Sequence, residues 1–584
     1  MGLVGTARRH PDTAAALGLT VIATLVTIIW LWRFRRGGFF NIDEAAYLGG
    51  VYDDTTGLQR GGLSGLLRAY GAHSDYAPLV PLSGVPFQLL FGTRLLVPLL
   101  ALSAWLGVLL VSVAAVTRRL CGRRWSVLAV LAVAGVPGVI DSTRLFHFAL
   151  PATALLTATV AALLASDRLR RTDWSIATGV LAGLTLLSRS MMVALVPGVL
   201  LATGIVVLRS PQRRRSARNL ALASVAGLTL AATWYLPNLG SVTGYLTGTG
   251  YGADSLEYGV RHAPWEVAWW TARLARVVQH DIGLPIALVI ATGLGSLVVL
   301  GVRRGRTRML TFSSPGAHAA IVCTVVVGFG YLSLSTSATP GTEFELPLVP
   351  CAVCLALAGI ARLRRPSIRA FSAGAVAAVA VVVLTVKSGL ATPAVSVWQA
   401  DVPLVGHVTV LDGRGEIQRY AELFGSGTPG SLEPAAIEQQ WLSAAGTLHD
   451  RLLAFARGNG RLPVVCFATR DAFMSSNHLG LAARYLDDSP PLPVAQLNPV
   501  RGGDSAANYR VRLSLPEEGQ PNLLITGDPS PRDFRPAVTQ AFAIEAAREL
   551  GFRPAFTDDL PDGRRLTVWW LLRGPVIPVG GGSG

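Results

Sequence analysis

Charge is scarce in this 584-residue sequence: Asp, Glu, Lys and Arg make up only 15% of it, where a soluble globule of this size carries about a quarter. Hydrophobic residues reach 51% and mean hydropathy is +0.46. That deficit fits a chain immersed in lipid, where a mid-bilayer charge costs at least about 2.5–3.5 kcal/mol. Lysine is almost absent, Lys387 standing alone, so arginine carries the net charge of +16. The arginines fall in short loops between apolar runs, and no basic patch is interleaved with exposed aromatics, which excludes nucleic acid as a partner. The five cysteines, Cys121, Cys323, Cys351, Cys354 and Cys466, are odd in number and scattered, which excludes a disulfide framework. The CxxC of Cys351 and Cys354 lies in an apolar run and reads as small packing residues of a membrane helix rather than a redox or metal pair. No His/Asp cluster has metal-ligand spacing, so no metal site is predicted and dependence on a divalent ion is without support. No Gly-rich loop follows a strand, so nucleotide binding is not supported.

What the chain has is apolar runs. Eleven are read as transmembrane helices: 14–32, 95–116, 126–140, 148–165, 174–187, 191–208, 220–236, 282–302, 317–335, 346–360 and 370–386. Several are shorter than the usual 20 or so residues, which implies tilt. Basic loops at 118–124, 168–171, 209–218, 303–308 and 362–369 are each separated from the next by two runs. This alternation is self-consistent if all five, and the N-terminus with Arg8 and Arg9, are cytoplasmic. Arg33, Arg35 and Arg36 are the exception and fall outside. Basic residues, not a small-residue cleavage site, follow the first run, so it is read as a span rather than a signal peptide.

Three segments on the external side are long: 33–94, 237–281 and everything after Lys387. Long loops on one face suggest a site built there. The chain exceeds one soluble core, and its character changes near residue 390. Strand-length runs at 462–468, 522–526 and 566–571 alternate with helical patterns at 433–457 and 538–550, which predicts an extracytoplasmic α/β domain over 391–579 after a transmembrane domain over 1–390. The terminal GGGSG, 580–584, reads as a linker scar. In this domain the acidic pairs Asp487-Asp488 and Asp558-Asp559 read as turns.

The first external loop holds the most informative stretch, Phe39-Phe40-Asn41-Ile42-Asp43-Glu44-Ala45-Ala46-Tyr47. Two adjacent acids there are either a helix start, with Asp43 as cap and Glu44 set against the dipole, or catalytic. Further along, His73-Ser74-Asp75-Tyr76-Ala77-Pro78-Leu79-Val80-Pro81 leads into the second run. Arg144 ends the third run and Arg189 lies at the turn between the fifth and sixth. Both sit at an external boundary against the positive-inside pattern, either snorkelling to headgroups or binding phosphate. His73, His147, Arg261 and His262 are weaker candidates.

An Asp-Glu-x-x-Tyr after the first span and a Tyr-x-Pro-Leu-x-Pro entry to the second resemble the GT-C glycosyltransferases, in particular the protein O-mannosyltransferase and aminoarabinose (lipid A) transferase families. The Gly-rich GVLAGLTLLSRS at 179–190, ending near Arg189, Trp234-Tyr235-Leu236-Pro237-Asn238, and EFELPLVP at 343–350 match further motifs in order over the first 390 residues. The resemblance implies transfer of a sugar from a polyprenyl-phosphate donor to a glycan, lipid or protein acceptor at the outer face of the membrane. It also implies Asp43 as catalytic base, with Glu44 beside it. A carboxylate that takes the acceptor proton contributes typically 10²–10⁴-fold, and cations are needed to stabilise the departing phosphate. Arg189, Arg144 and His147 are the donor-phosphate candidates. Tyr47, His73, Asp75, Tyr76, Tyr235, Asn238, Arg261, His262, Glu343 and Glu345 are the substrate candidates. Two departures leave the donor sugar and any metal open: no acid follows Arg144, and Glu343 and Glu345 stand where a basic-aromatic pair is common.

A transporter or flippase is the alternative class, but helix centres are almost free of charge and no repeat is evident. A non-catalytic envelope assembly protein is the third, and would tolerate Asp43→Asn. The Ala/Gly/Val/Arg-rich, lysine-poor composition suits a GC-rich bacterium, which places the external face outside the plasma membrane.

Overall fold

The computed structural model describes residues 11–35, 42–73, 76–252, 266–304, 315–338, 342–387, 397–402, 406–412, 435–469, 471, 473–486, 491–497, 505–514, 521–528 and 537–572. Its helical part runs α1 (Pro11–Phe34), α2 (Ile42–Ala72), α3 (Leu79–Phe91), α4 (Leu100–Cys121), α5 (Ser126–Ala134), α6 (Pro137–Ser142), α7 (Ala149–Ala165) and α8 (Thr172–Ser188). It continues with α9 (Val196–Leu208), α10 (Arg213–Tyr235), α11 (Leu239–Tyr251), α12 (Val267–Arg276), α13 (Leu284–Arg304), α14 (Pro315–Ser335), α15 (Val349–Ala361) and α16 (Pro366–Lys387). Each of the eleven apolar runs falls on helix. By length and apolarity alone, five helices among the described residues qualify to cross a membrane, or seven if two bent pairs, α10 with α11 and α12 with α13, each count as one span. Of the three long segments expected on the external side, the described residues of the first include α2 and α3, and those of the second include α11 and α12.

Four of the basic loops, 118–124, 168–171, 209–218 and 362–369, gather at one end of the bundle, and most of the fifth, 303–308, lies outside the described residues. Arg362 donates to the carbonyl of Leu120 at 3.1 Å, while Ser216 and Asn219 donate to the carbonyls of Arg168 and Leu169 at 2.8 and 2.7 Å. Helix α8 leaves this end and finishes at Arg189 at the other. Its crossing with α10 explains the glycines of that stretch. A Cβ on Gly179 would lie 1.9 Å from the Ala223 carbonyl oxygen, and one on Gly183 2.6 Å from that of Gly227. Only glycine lets the two backbones meet, the small-residue contact that packs helices where water provides no drive.

The C-terminal part is an α/β unit. A hairpin, β1 (Val397–Val402) with β2 (Gly406–Asp412), precedes α17 (Ala435–Gly458), β3 (Val465–Phe467), α18 (Ser476–Leu486), β4 (Val494–Gln496) and α19 (Ala506–Ser514). Then come β5 (Leu523–Gly527), α20 (Ala537–Glu549), β6 (Arg553–Asp559) and β7 (Arg565–Trp570). The sheet order is β4-β3-β5-β7-β6, with β3 parallel to β4 and β5, and β7 antiparallel to β5 and β6. The three expected strands and two helices are thus present. One expectation is corrected: Asp558 and Asp559 end strand β6 instead of making a turn, and ion-pair with Arg451 and Arg565. Asp487 and Asp488 lie outside the described residues, as do 388–396, where the expected domain boundary falls.

The chain's one lysine is buried. Lys387, at the end of α16, reaches both carboxylate oxygens of Asp141 at 2.8 and 2.7 Å, and the two side chains are 1% and 4% exposed. Breaking such a pair strands a charge, whereas replacing both partners by apolar groups does not. Lys387→Met alone should cost about 3–5 kcal/mol. The double variant with Asp141→Leu should recover most of it, as read by denaturant unfolding in detergent micelles.

Candidate active site

Helix geometry separates the two acids that open α2. Neighbouring residues project about 100° apart around the axis, so Asp43 and Glu44 face different surroundings. Asp43 keeps 29% of its side chain exposed. It accepts a hydrogen bond from the Tyr76 hydroxyl at 3.1 Å, and its other oxygen lies 3.5 Å from Nε2 of His147. Burial, reinforced by the Asp43 charge, raises the Tyr76 hydroxyl well above the usual phenol range, so it stays a donor to the carboxylate.

Glu44 turns inward and is fully buried. It pairs with Arg35 at 2.5 Å and accepts the backbone N–H of Phe146 at 2.7 Å. Burial raises its carboxyl above the ordinary range, and the Arg35 charge opposes this. Glu44, expected beside Asp43 in the catalytic pair, thus has Arg35 and the Phe146 amide as partners in this structure. Its carboxylate is spent tying α2 to the 143–148 turn that carries His147.

Arg189 follows the last residue of α8, where a cation complements the helix dipole. It is 4% exposed. Nη1 donates to the Tyr47 hydroxyl at 3.0 Å and Nη2 to that of Tyr245 at 2.7 Å. The guanidinium also lies over the rings of Tyr76, Phe148 and Tyr245, at 4.9, 5.1 and 5.5 Å. Tyr47 meets Tyr76 edge-on at 5.1 Å and His147 at 5.6 Å. Asp43, Tyr76, Tyr47, His147, Arg189 and Tyr245 are thus one contiguous cluster. It joins a half-open carboxylate to a guanidinium in aromatic surroundings, where electrostatic interactions are strengthened.

The remaining candidates lie elsewhere or support this cluster. Arg144 donates to the carbonyl of Lys387 at 2.5 Å and covers the ring of Trp30 at 4.0 Å. The guanidinium expected at the donor phosphate is here drawn to the end of α16. His73 pairs with buried Asp54 at 3.0 Å, and its carbonyl accepts Trp234 Nε1 at 2.6 Å, which staples the loop before α3 to α2 and α10. Tyr235 donates to the carbonyls of Leu186 and Ser190, bracketing Arg189. Asn238 donates to the Trp234 carbonyl at the α10–α11 bend. Glu345 is buried in an ion pair with Arg273 of α12. Glu343 sits on the short turn Thr342–Phe344, whose Phe344 stacks on Phe148 at 5.6 Å. Asp75, Arg261 and His262 lie outside the described residues.

Sequence reasoning missed Tyr245, which has no motif around it. It noted Arg35 only as a charge on the unexpected side of the membrane. Arg35 also borders a cavity of about 780 Å³ lined by Leu31, Trp32, Arg94, Leu95 and, from the C-terminal unit, Leu442 and Leu486. Among the described residues no group of three or more His, Cys, Asp or Glu side chains is placed to hold a metal ion.

Comparison with known proteins agrees with this layout. Residues 75–239 match the family profile described as dolichyl-phosphate-mannose-protein mannosyltransferase. ArnT from Cupriavidus metallidurans in the apo state is 14% identical, with a TM-score of 0.51, over 95% of this chain and 98% of that one. The same protein bound to undecaprenyl phosphate matches at 14% identity and TM-score 0.51, over 94% and 98%. The archaeal oligosaccharyltransferase AglB from Archaeoglobus fulgidus, in complex with an inhibitory peptide and a dolichol-phosphate, is 13% identical with a TM-score of 0.51, over 94% of this chain and 74% of that one. A search of curated proteins finds no match. The resemblance to GT-C glycosyltransferases drawn from the motifs is borne out by the family match and by the shared fold.

Proposed function

We propose that this chain, which shares the fold of the GT-C glycosyltransferases, moves a sugar from a polyprenyl-phosphate donor to an acceptor hydroxyl by inverting displacement. The observation that carries the reading is the convergence of the Asp43 carboxylate and the Arg189 guanidinium, linked through Tyr47 and Tyr76, at the end of the bundle opposite the basic loops. In the reaction the acceptor oxygen attacks the anomeric carbon and the carbon–oxygen bond to phosphate breaks. The acceptor proton passes to Asp43, and the polyprenyl phosphate leaves with the bonding electrons. Arg189 stabilises the charge that develops on that phosphate. Tyr76 holds the Asp43 carboxylate by one hydrogen bond and so orients it.

The cavity beside Arg35 and Arg94 has an apolar wall and a cationic rim, the lining expected for a lipid chain with an anionic head. In this reading residues 1–390 cross a bacterial plasma membrane eleven times with the N-terminus cytoplasmic, and 391–579 form an extracytoplasmic domain. Support comes from the alternation of basic loops and from the solved neighbours whose structures hold polyprenyl or dolichol phosphate. Native mass spectrometry of the full chain with added undecaprenyl phosphate and, separately, undecaprenol tests it. The phosphate should bind about 10- to 100-fold more tightly, as expected for one or two charge-assisted hydrogen bonds. Equal retention of the two lipids would remove the phosphate from the site.

A further inference from the structure

Helix α18 of the C-terminal unit lies against the helix that carries Asp43. In its first turn the Asn477 side-chain amide donates to the carbonyl of Ile42, the residue before Asp43, at 2.8 Å. Two turns on, Arg484 grips Asp53 of α2 with both ends of its fork, Nε to Oδ1 at 2.8 Å and Nη2 to Oδ2 at 2.7 Å. Its third nitrogen donates to the Gly480 carbonyl of its own helix at 2.9 Å. Every nitrogen of this guanidinium is therefore committed, which fixes its orientation as a lysine could not. The neighbouring Tyr485 donates to the Leu48 carbonyl at 3.1 Å and accepts from Gln88 of α3 at 2.8 Å. Its ring meets Tyr52 edge-on at 5.1 Å.

These contacts fall at both ends of the stretch of α2 from Ile42 to Asp53, about 16 Å long. Glu44 ties the start of α2 to the 143–148 turn, and Asp54, just beyond the stretch, ties the helix to the His73 loop. To the C-terminal unit the helix has a first anchor at Ile42 and a second at Asp53, and two separated anchors fix its direction against that unit as one would not. Keeping a catalytic group within about 0.5 Å of its productive position at the end of a lever of about 16 Å allows a tilt of only about 2°. We infer that α18 is a positioning element: Asn477, Arg484 and Tyr485 hold the Asp43 carboxylate in register, which makes the C-terminal unit part of the active site. The inference rests on the reading of Asp43 as base.

The test uses the full chain in nanodiscs, with the lipid-linked sugar pool extracted from bacterial membranes as donor. In Arg484→Ala, amide hydrogen exchange over residues 42–55 should speed up by about tenfold or more as the helix loses its second anchor. Turnover should fall about 10- to 100-fold, with donor KM within about threefold. The charge-swapped pair Arg484→Asp with Asp53→Arg should restore a large part of both. If Arg484→Ala does not fold, Asn477→Ala, which deletes a single hydrogen bond, carries the same test. Unchanged exchange, or faster exchange with unchanged turnover, would overturn the inference while leaving the base reading intact. Sugar transfer by Asp43→Asn would instead remove the base reading, whatever exchange shows.

Discussion

Asp43→Asn should abolish sugar transfer and leave the protein folded. The asparagine has the same shape, and its oxygen still accepts the Tyr76 hydroxyl, so that hydrogen bond survives. The side chain is partly exposed, with His147 Nε2 at 3.5 Å. Loss of its charge should therefore change stability by about 0.5 kcal/mol or less, as for an ordinary surface substitution. The amide cannot take a proton at neutral pH. The rate should fall by about 10²–10⁴-fold, the usual contribution of a general base. Initial rates with extracted lipid-linked sugar, alongside thermal unfolding, separate the two effects. Turnover within a few-fold of wild type would dismiss Asp43 as the base. Glu44→Gln is the contrasting control: it weakens a buried ion pair and should appear first in the unfolding curve.

Arg189→Ala should weaken polyprenyl-phosphate binding more than any other single substitution of a cation in the described cluster. The guanidinium can give the phosphate about 1.5–3 kcal/mol per charge-assisted hydrogen bond, which is about 10- to 150-fold in affinity. Its present partners are neutral hydroxyls, those of Tyr47 and Tyr245. An incoming phosphate is a stronger acceptor than either, so the exchange is favourable. Arg189→Lys should not rescue fully, because an ammonium cannot bond Tyr47, Tyr245 and phosphate in one plane. Titration of undecaprenyl phosphate against the variant, with unfolding as a control for the lost cage, reads the effect. Unchanged affinity would make Arg189 an anchor to lipid headgroups.

Much of this was legible in the sequence, and the remainder was hidden for physical reasons. Apolar runs mark helices because lipid and protein interior both exclude charge, and all eleven runs lie on helix. Asp43, Tyr76, His147 and Arg189 were recognisable from motif order, and the structure brings them together. The contacts that the sequence did not show share a cause. Arg144 binds the carbonyl of a residue 243 positions away and Glu44 the amide of one 102 positions away, and local pattern carries no trace of such pairings. Adjacent acids look alike on paper until helical projection sends one toward solvent and the other inward. Tyr245 was missed because its Gly/Thr-rich helix has no apolar periodicity or motif to single it out. Strands β4 and β6 escaped because one is three residues long and the other is studded with charge and proline.

The grip of Arg484 on Asp53 spans 431 residues of chain, and this orders events during synthesis. The helix that carries Asp43 leaves the ribosome before α18 does. At ordinary elongation rates its far anchor follows on the order of 20–90 s later. Until then the Asp43 carboxylate has no fixed bearing. If Asp43 is the base, a chain truncated before α18 should transfer no sugar in the same initial-rate assay.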